Sequence, residues 1–195
     1  VKHTGRVAGT APDGGSARQQ ELLEAAYAWV LERGWAGMSL RPLAEAIGSS
    51  PRVLLFLFGS KDGLVRALLA RSRADQLAVL DAVGDSGDLA TVGARVWAWL
   101  AAPEHRALLR LWLEAYTRSV GDAGDGPWAG FAARTVADWD ALLARHQPPA
   151  HRDTAAGVAE RALLLAVLRG ALLDLLATGE TARLDAAVGA HLAAL

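Results

Sequence analysis

Apolar residues recur at helical spacing along nearly the whole chain. Leu22, Ala26, Trp29 and Val30 stand at i, i+4, i+7 and i+8, a stripe down one face of a helix. Ser16 and Gln19 have capping-box spacing at its start, and Gly34 offers a left-handed stop at its end. Strict apolar–polar alternation is sustained nowhere, and Ala and Leu dominate, so the pattern predicts an all-α fold. Further along, Gly84–Gly87, Pro103, Gly121–Pro127, Pro148–Pro149 and Thr178–Glu180 punctuate the chain. They divide it into helices over about 61–83, 88–101, 104–120, 127–146, 151–178 and 181–194. With three short helices before Lys61, the expected number is about nine.

Residues 39–61, SLRPLAEAIGSSPRVLLFLFGSK, are the most informative segment. Ser39 reads as an N-cap with Pro42 in the first turn, and Leu43, Ala44 and Ile47 form an apolar face before Gly48 ends the helix. Ser50 caps a second helix with Pro51 at its first position; that helix runs to Gly59, and Ser60 caps the next. Two short helices around a tight glycine turn describe a helix-turn-helix, whose second helix can enter a DNA major groove. An ordinary helical hairpin inside a bundle is the competing reading, and it rarely needs so short a turn and helix.

The segment resembles the DNA-binding signature of the TetR family, with Ala44, Gly48, Ser50, Leu54, Phe58, Lys61 and Leu64 at the matching places. The resemblance implies a recognition helix over about Ser50–Phe58, with Leu54 and Phe58 facing the core. Ser50, Arg52, Val53, Phe56 and Leu57 should face DNA. Arg52 is the best reader of a guanine edge, because its fork matches two acceptors. Ser39, Arg41 and Lys61 lie at or near helix N-termini, where backbone donors and positive charge favour phosphate. Many family members carry Tyr, and often His, where this chain has Phe56 and Leu57. The run Val53–Phe58 is wholly apolar, so readout rests on Arg52, the serines and thymine methyls. Either DNA affinity is weaker than usual, or the fold persists with little DNA binding.

Charge runs in the same direction. The chain carries a net charge of -1, but residues 1–73 hold 10 Lys+Arg against 6 Asp+Glu, while residues 74–195 hold 10 against 15. A basic first third suits a polyanionic partner, although such a surplus is often plain solvated surface. The glycine-rich residues 1–15 read as a flexible arm, from which Lys2, His3 and Arg6 could reach DNA or simply remain free. The expected domains are that arm, a helix-turn-helix domain over 16–62, and a ligand-binding and dimerisation domain over 63–195.

Beyond Lys61 the stretches LLRLWLEAYTRSV, FAARTVADWDALL and LLLAVLRGALLDLLATGETARLDAAV resemble regulatory domains of actinobacterial TetR proteins. That resemblance implies a helical bundle with a ligand cavity between its central helices and dimerisation through the last two long helices. The candidate pocket residues are Trp97, His105, Leu109, Trp112, Leu113, Glu114, Tyr116, Phe131 and Trp139. Large aromatics with one polar atom suit a flat or greasy molecule, and core packing explains each of them equally well. His105, Arg110 and Glu114 could converge on the ligand. Arg169 and Asp174 interrupt the most apolar helix, either as a buried or intersubunit ion pair or as its exposed edge. The candidate dimer interface is a stripe of Leu165, Leu168, Leu172 and Leu176 continued by Leu184, Val188 and Leu192. Burial of that stripe within one chain is the alternative. The expected partners are a pseudo-palindromic double-stranded operator, a small apolar or aromatic effector, and a second copy of the chain. The expected role is a transcriptional repressor released by that effector.

Other classes find little support. The absence of cysteine excludes disulfides, thiolate metal sites and cysteine nucleophiles. His3, His105, His146, His151 and His191 are scattered, and no zinc-protease, nucleophile-elbow, Walker or dinucleotide motif occurs. No enzyme, metal or cofactor is expected. No apolar run approaches the ~20 residues of a membrane helix, and residues 1–16 lack a signal-peptide core, so a cytoplasmic location is expected.

Overall fold

A computed structural model describes residues 14–82, 87–122 and 124–195. Lys2, His3 and Arg6 lie outside that range. Among the described residues every regular element is helical: α1 (Gly14–Arg33), α2 (Leu40–Ala46), α3 (Pro51–Phe58), α4 (Lys61–Ala82), α5 (Leu89–Ala101), α6 (Arg106–Gly121), α7 (Phe131–Arg145), α8 (Pro149–Arg152), α9 (Ala155–Thr178) and α10 (Thr181–Leu192). A 3-10 turn, Pro103–His105, leads into α6.

The sequence explains most boundaries. Gly34, at φ 74°, stops α1, and Gly48 and Gly59, at φ 63° and 77°, end α2 and α3. The expected helix over 127–146 begins only at Phe131, because Gly130 sits at φ 69° and cannot join it. The expected helix over 151–178 is broken in two. Thr154 accepts a hydrogen bond from Gly157 N at 3.0 Å and caps α9 afresh. A Cβ at Gly157 would lie 2.2 Å from the His151 carbonyl oxygen, so α8 folds tightly beneath the start of α9. The buried Arg161 guanidinium holds that corner, donating to Asp140 at 2.8 Å, Gln147 at 3.1 Å and the Arg152 carbonyl at 2.6 Å.

Two regions share one core. Helices α1, α2 and α3 close around Leu22, Val30, Leu43, Leu54 and Leu64, while α5, α7, α9 and α10 close around Val96, Leu142, Leu164, Leu168 and Leu175. Helix α4 belongs to both. Tyr27 of α1 donates to Asp75 of α4 at 2.9 Å, and Arg71 grips Glu24 and Asp75. Burial, aided by the bond to Asp75, pushes the Tyr27 phenol well above its ordinary pKa. Farther along α4, Arg73 makes a forked pair with Asp138 of α7, both bonds at 2.7 Å.

The stripe expected at a dimer interface is occupied within the chain. Leu165, Leu168, Leu172, Leu184 and Val188 are buried, and Leu176 and Leu192 are half-buried against the same core. Helix α9 is enclosed by α5, α7 and α10, which leaves Ala159, Leu163, Ala166, Gly170, Leu173 and Ala177 on its exposed face.

Candidate functional site

Helix α3 is amphipathic in an unusual sense, since both of its faces are apolar. Leu54 is fully buried, and Leu57 and Phe58 are half-buried against the core, with the Leu57 carbonyl accepting from Gln19 Nε2 at 2.8 Å. The outward side carries Arg52, Val53, Leu55 and Phe56, and Phe56 is 85% exposed. Ser50 caps the helix, accepting from Val53 N at 3.3 Å. Leu57 thus turns away from the face expected of it, and Leu55, absent from the expected set, is exposed. The reason is angular: four residues after Leu54 the helix returns to its buried side, so Leu57 and Phe58 flank that side while Arg52 and Phe56 mark its opposite.

A rim of unpartnered polar groups surrounds this helix. Arg41 on α2, Arg52 on α3 and Lys61 at the start of α4 are exposed and form no ion pair among the described residues. Ser39 sits at the N-cap of α2 with its hydroxyl uncommitted to the helix. Ser60 caps α4 by accepting from Gly63 N at 2.9 Å. Gly63 has no substitute here, because a Cβ would lie 2.0 Å from the Phe58 carbonyl oxygen. That close approach fixes α3 against the first turn of α4.

The second feature is a cavity of about 40 Å³ between α4, α5, α6, α7 and α9. Trp99, Leu109, Trp112, Trp139, Leu165 and Leu172 are among its apolar walls. Gln76 of α4 and Arg169 of α9 are its polar residues besides the indoles. The Arg169 guanidinium lies 5.7 Å from the centre of the Tyr116 ring, and burial lowers its pKa below the ordinary value. Tyr116 in turn packs on Trp112, with ring centres 5.0 Å apart.

The model of the family "Bacterial regulatory proteins, tetR family" matches residues 22–68, from within α1 through α2 and α3 to the first turns of α4. Over those residues the chain is similar to the TetR family. No curated protein matches it significantly. Solved structures do. A TetR-family transcriptional regulator from Cytophaga hutchinsonii is 17% identical with a TM-score of 0.75, over 95% of this chain and 98% of that one. A TetR-family member from Streptomyces coelicolor A3 is 22% identical with a TM-score of 0.65, over 89% and 97%. The multidrug binding protein EbrR complexed with imidazole is 22% identical with a TM-score of 0.68, over 93% and 94%. At such identities the likeness is one of fold, and it extends over both regions of this chain.

Within that fold the expected pocket residues scatter. Leu109, Trp112 and Trp139 line the cavity. Trp97 does not: its indole donates to Asp185 of α10 at 2.8 Å. His105 stacks on Trp99 with ring centres 4.0 Å apart, and Phe131 is buried between α4 and α7 beside Leu69 and Arg134. Leu113 is half-buried outside the cavity lining, and Arg110 is exposed. Glu114 is the clearest correction. Its carboxylate accepts from Trp35 N at 2.9 Å, and the Trp35 indole donates to the Leu111 carbonyl at 3.0 Å. Trp35 also meets Trp128 edge-on, with centres 4.9 Å apart. Glu114 therefore ties the loop after α1 to α6 and takes no part in the cavity. Asp174 stays exposed near Arg183 at 3.6 Å, so it forms no pair with Arg169. Gln76, Leu108 and Arg169 line the cavity although the sequence drew attention to none of them as pocket residues. Of these only Arg169, a charge inside the most apolar helix, left a signal that could have been followed.

Among the described residues no cluster of His, Asp and Glu could hold a metal ion, and no helix is long and apolar enough to cross a membrane.

Proposed function

We propose that this chain is a homodimeric transcriptional repressor that binds a pseudo-palindromic operator and is released when a small molecule enters the cavity. One observation carries the DNA-binding half: exposed, unpaired Arg41, Arg52 and Lys61 surround an outward helix whose far side is locked into the core. Residues 16–62 act as the reading unit and residues 63–195 as the sensing and dimerising unit. Arg52 reads a base edge, Val53 and Phe56 meet thymine methyls, and Ser39, Arg41, Ser50 and Lys61 hold phosphates. A second copy docks on the exposed α9 stripe, where Ala159, Ala166, Gly170 and Ala177 allow close approach and Leu163 and Leu173 supply apolar area. The fold shared with EbrR, described as multidrug binding, supports a small-molecule role. The test is titration of the protein against DNA from upstream of its own gene, at low and moderate salt. Preference over a scrambled duplex, with steep salt dependence, is expected. Equal binding to both duplexes would favour the second reading, a TetR-fold ligand-binding protein with little DNA affinity. The fully apolar, 85% exposed Phe56 is the observation on its side.

A further inference from the structure

Nine buried side-chain polar atoms lack a hydrogen-bond partner among the described residues, and three of them, all donors, belong to residues lining one cavity: Gln76 Nε2, Trp112 Nε1 and Arg169 Nη2. Gln76 is 7% exposed and Trp112 8%. Leaving a buried donor unmatched is costly, and more so for a charged one, so such groups rarely cluster without a partner. The charge balance is equally one-sided. Arg169 has no ion pair among the described residues, its guanidinium lies over the Tyr116 ring, and no Asp or Glu is among the described residues lining the cavity. Glu114, the one carboxylate on the neighbouring face of α6, is committed to Trp35. Every other lining residue is aliphatic or aromatic.

We propose that the cavity takes an organic anion, a carboxylate head on an apolar or aromatic body, with the head received by Arg169, Gln76 and Trp112. A carboxylate has about four lone-pair sites and accepts without donating, which matches three donors left without acceptors. The planar guanidinium suits it better than it suits a point charge. The body lies along Trp99, Leu109, Trp139 and Leu172. At about 40 Å³ the space admits a head group and little more, so a longer body must displace side chains as it enters. An organic cation is disfavoured on the same grounds, since it would bring charge beside Arg169 and satisfy no donor. The inference rests on the cavity being the effector site, and it specifies the chemistry of that effector.

The test uses the full chain and two matched series: octanoate, octanamide and octylamine, and phenylacetate, phenylacetamide and phenethylamine. Binding is read by calorimetry and by tryptophan emission. Each carboxylate should bind at least about tenfold more tightly than its amide, and the amines weakest. Arg169→Met should abolish the preference for carboxylate, weakening each acid far more than its amide. It should also raise the melting temperature of the free protein, because an unpaired buried charge is removed. Arg169→Lys should keep part of the preference, and Gln76→Leu should weaken acids and amides together, since the oxygens of both accept from Nε2. Amides or amines that bind as well as the acids would overturn the anion and leave the effector site standing. Failure of all six compounds to bind would remove both readings. Undiminished octanoate binding by a folded Arg169→Met protein would also overturn the assignment.

Discussion

Arg52 and Phe56 stand four residues apart on the outward side of α3, and the two side chains fail in different ways when removed. If Arg52 reads a guanine, Arg52→Ala costs ~1–3 kcal/mol on the operator and relaxes preference at one base pair. Lys61→Ala acts through phosphate, weakening all sequences alike and reducing the salt slope by about one. Competition binding against single-base operator variants separates the two, and identical profiles would undo the assignment. Phe56→Ala should leave the folded state within about 0.5 kcal/mol, because the ring touches solvent, yet weaken operator binding. Thermal melts and DNA titrations on one preparation check both halves of that statement. Helices α2 and α3 were legible because capping, glycine stops and a recurring register all act locally. Glu114 was not. A carboxylate between Leu113 and Ala115 has the pattern of a ligand contact, and its partner is a backbone N–H 79 residues away. Such a pairing leaves no trace in spacing.

At the scale of the element, α9 explains why the sequence could not say whether the Leu165–Leu172 stripe faces a partner or the chain's own core. The helix is apolar on nearly every side, so a 3.6-residue period cannot say which side meets a neighbour and which meets solvent. Leu165, Leu168 and Leu172 form a sound stripe, and it is spent on the chain's own core. The correction changes a prediction. Leu172→Glu places a charge at a position 3% exposed and should unfold the protein or cost more than about 3 kcal/mol. Leu163→Glu, at a position 56% exposed, should leave the monomer folded and shift the dimer toward monomer. Sedimentation and circular dichroism on both variants distinguish these fates; a dimeric Leu163→Glu protein would move the interface off α9. The junction of α3 and α4 makes a second case. Gly63 has no left-handed backbone, so nothing local demands glycine there, but Phe58 O occupies the space a Cβ needs. Gly63→Ala should destabilise by ~1–3 kcal/mol and tilt the recognition helix, lowering DNA affinity beyond the loss of stability.

Across the whole molecule, two helices connect the cavity to the DNA-reading unit. Helix α4 starts at Lys61 beside the end of α3 and carries Gln76 into the cavity wall. Helix α6 carries Leu108, Leu109 and Trp112 on that wall and, within a turn, the Leu111 carbonyl and Glu114 that hold Trp35. Trp35 follows α1 directly and precedes α2, so it is the joint between sensing and reading regions. A ligand larger than the cavity that moves α6 either drags Trp35 or strains a charge-assisted bond worth about 1.5–3 kcal/mol. The operator fixes the spacing of two recognition helices, so a ligand that favours another spacing lowers operator affinity by their coupling energy, typically ~1–3 kcal/mol. Linkage requires the operator to weaken ligand binding by the same factor. Glu114→Ala tests the route. The variant should bind octanoate alone and operator alone nearly as the parent does, because Glu114 touches neither the cavity nor α3. It should, however, lose most of the mutual weakening when both are present, since α6 then moves without carrying Trp35. Measuring octanoate affinity with and without saturating operator, in parent and variant, yields both coupling constants. Equal coupling in the two proteins would exclude the Glu114–Trp35 tie and leave α4 as the connection.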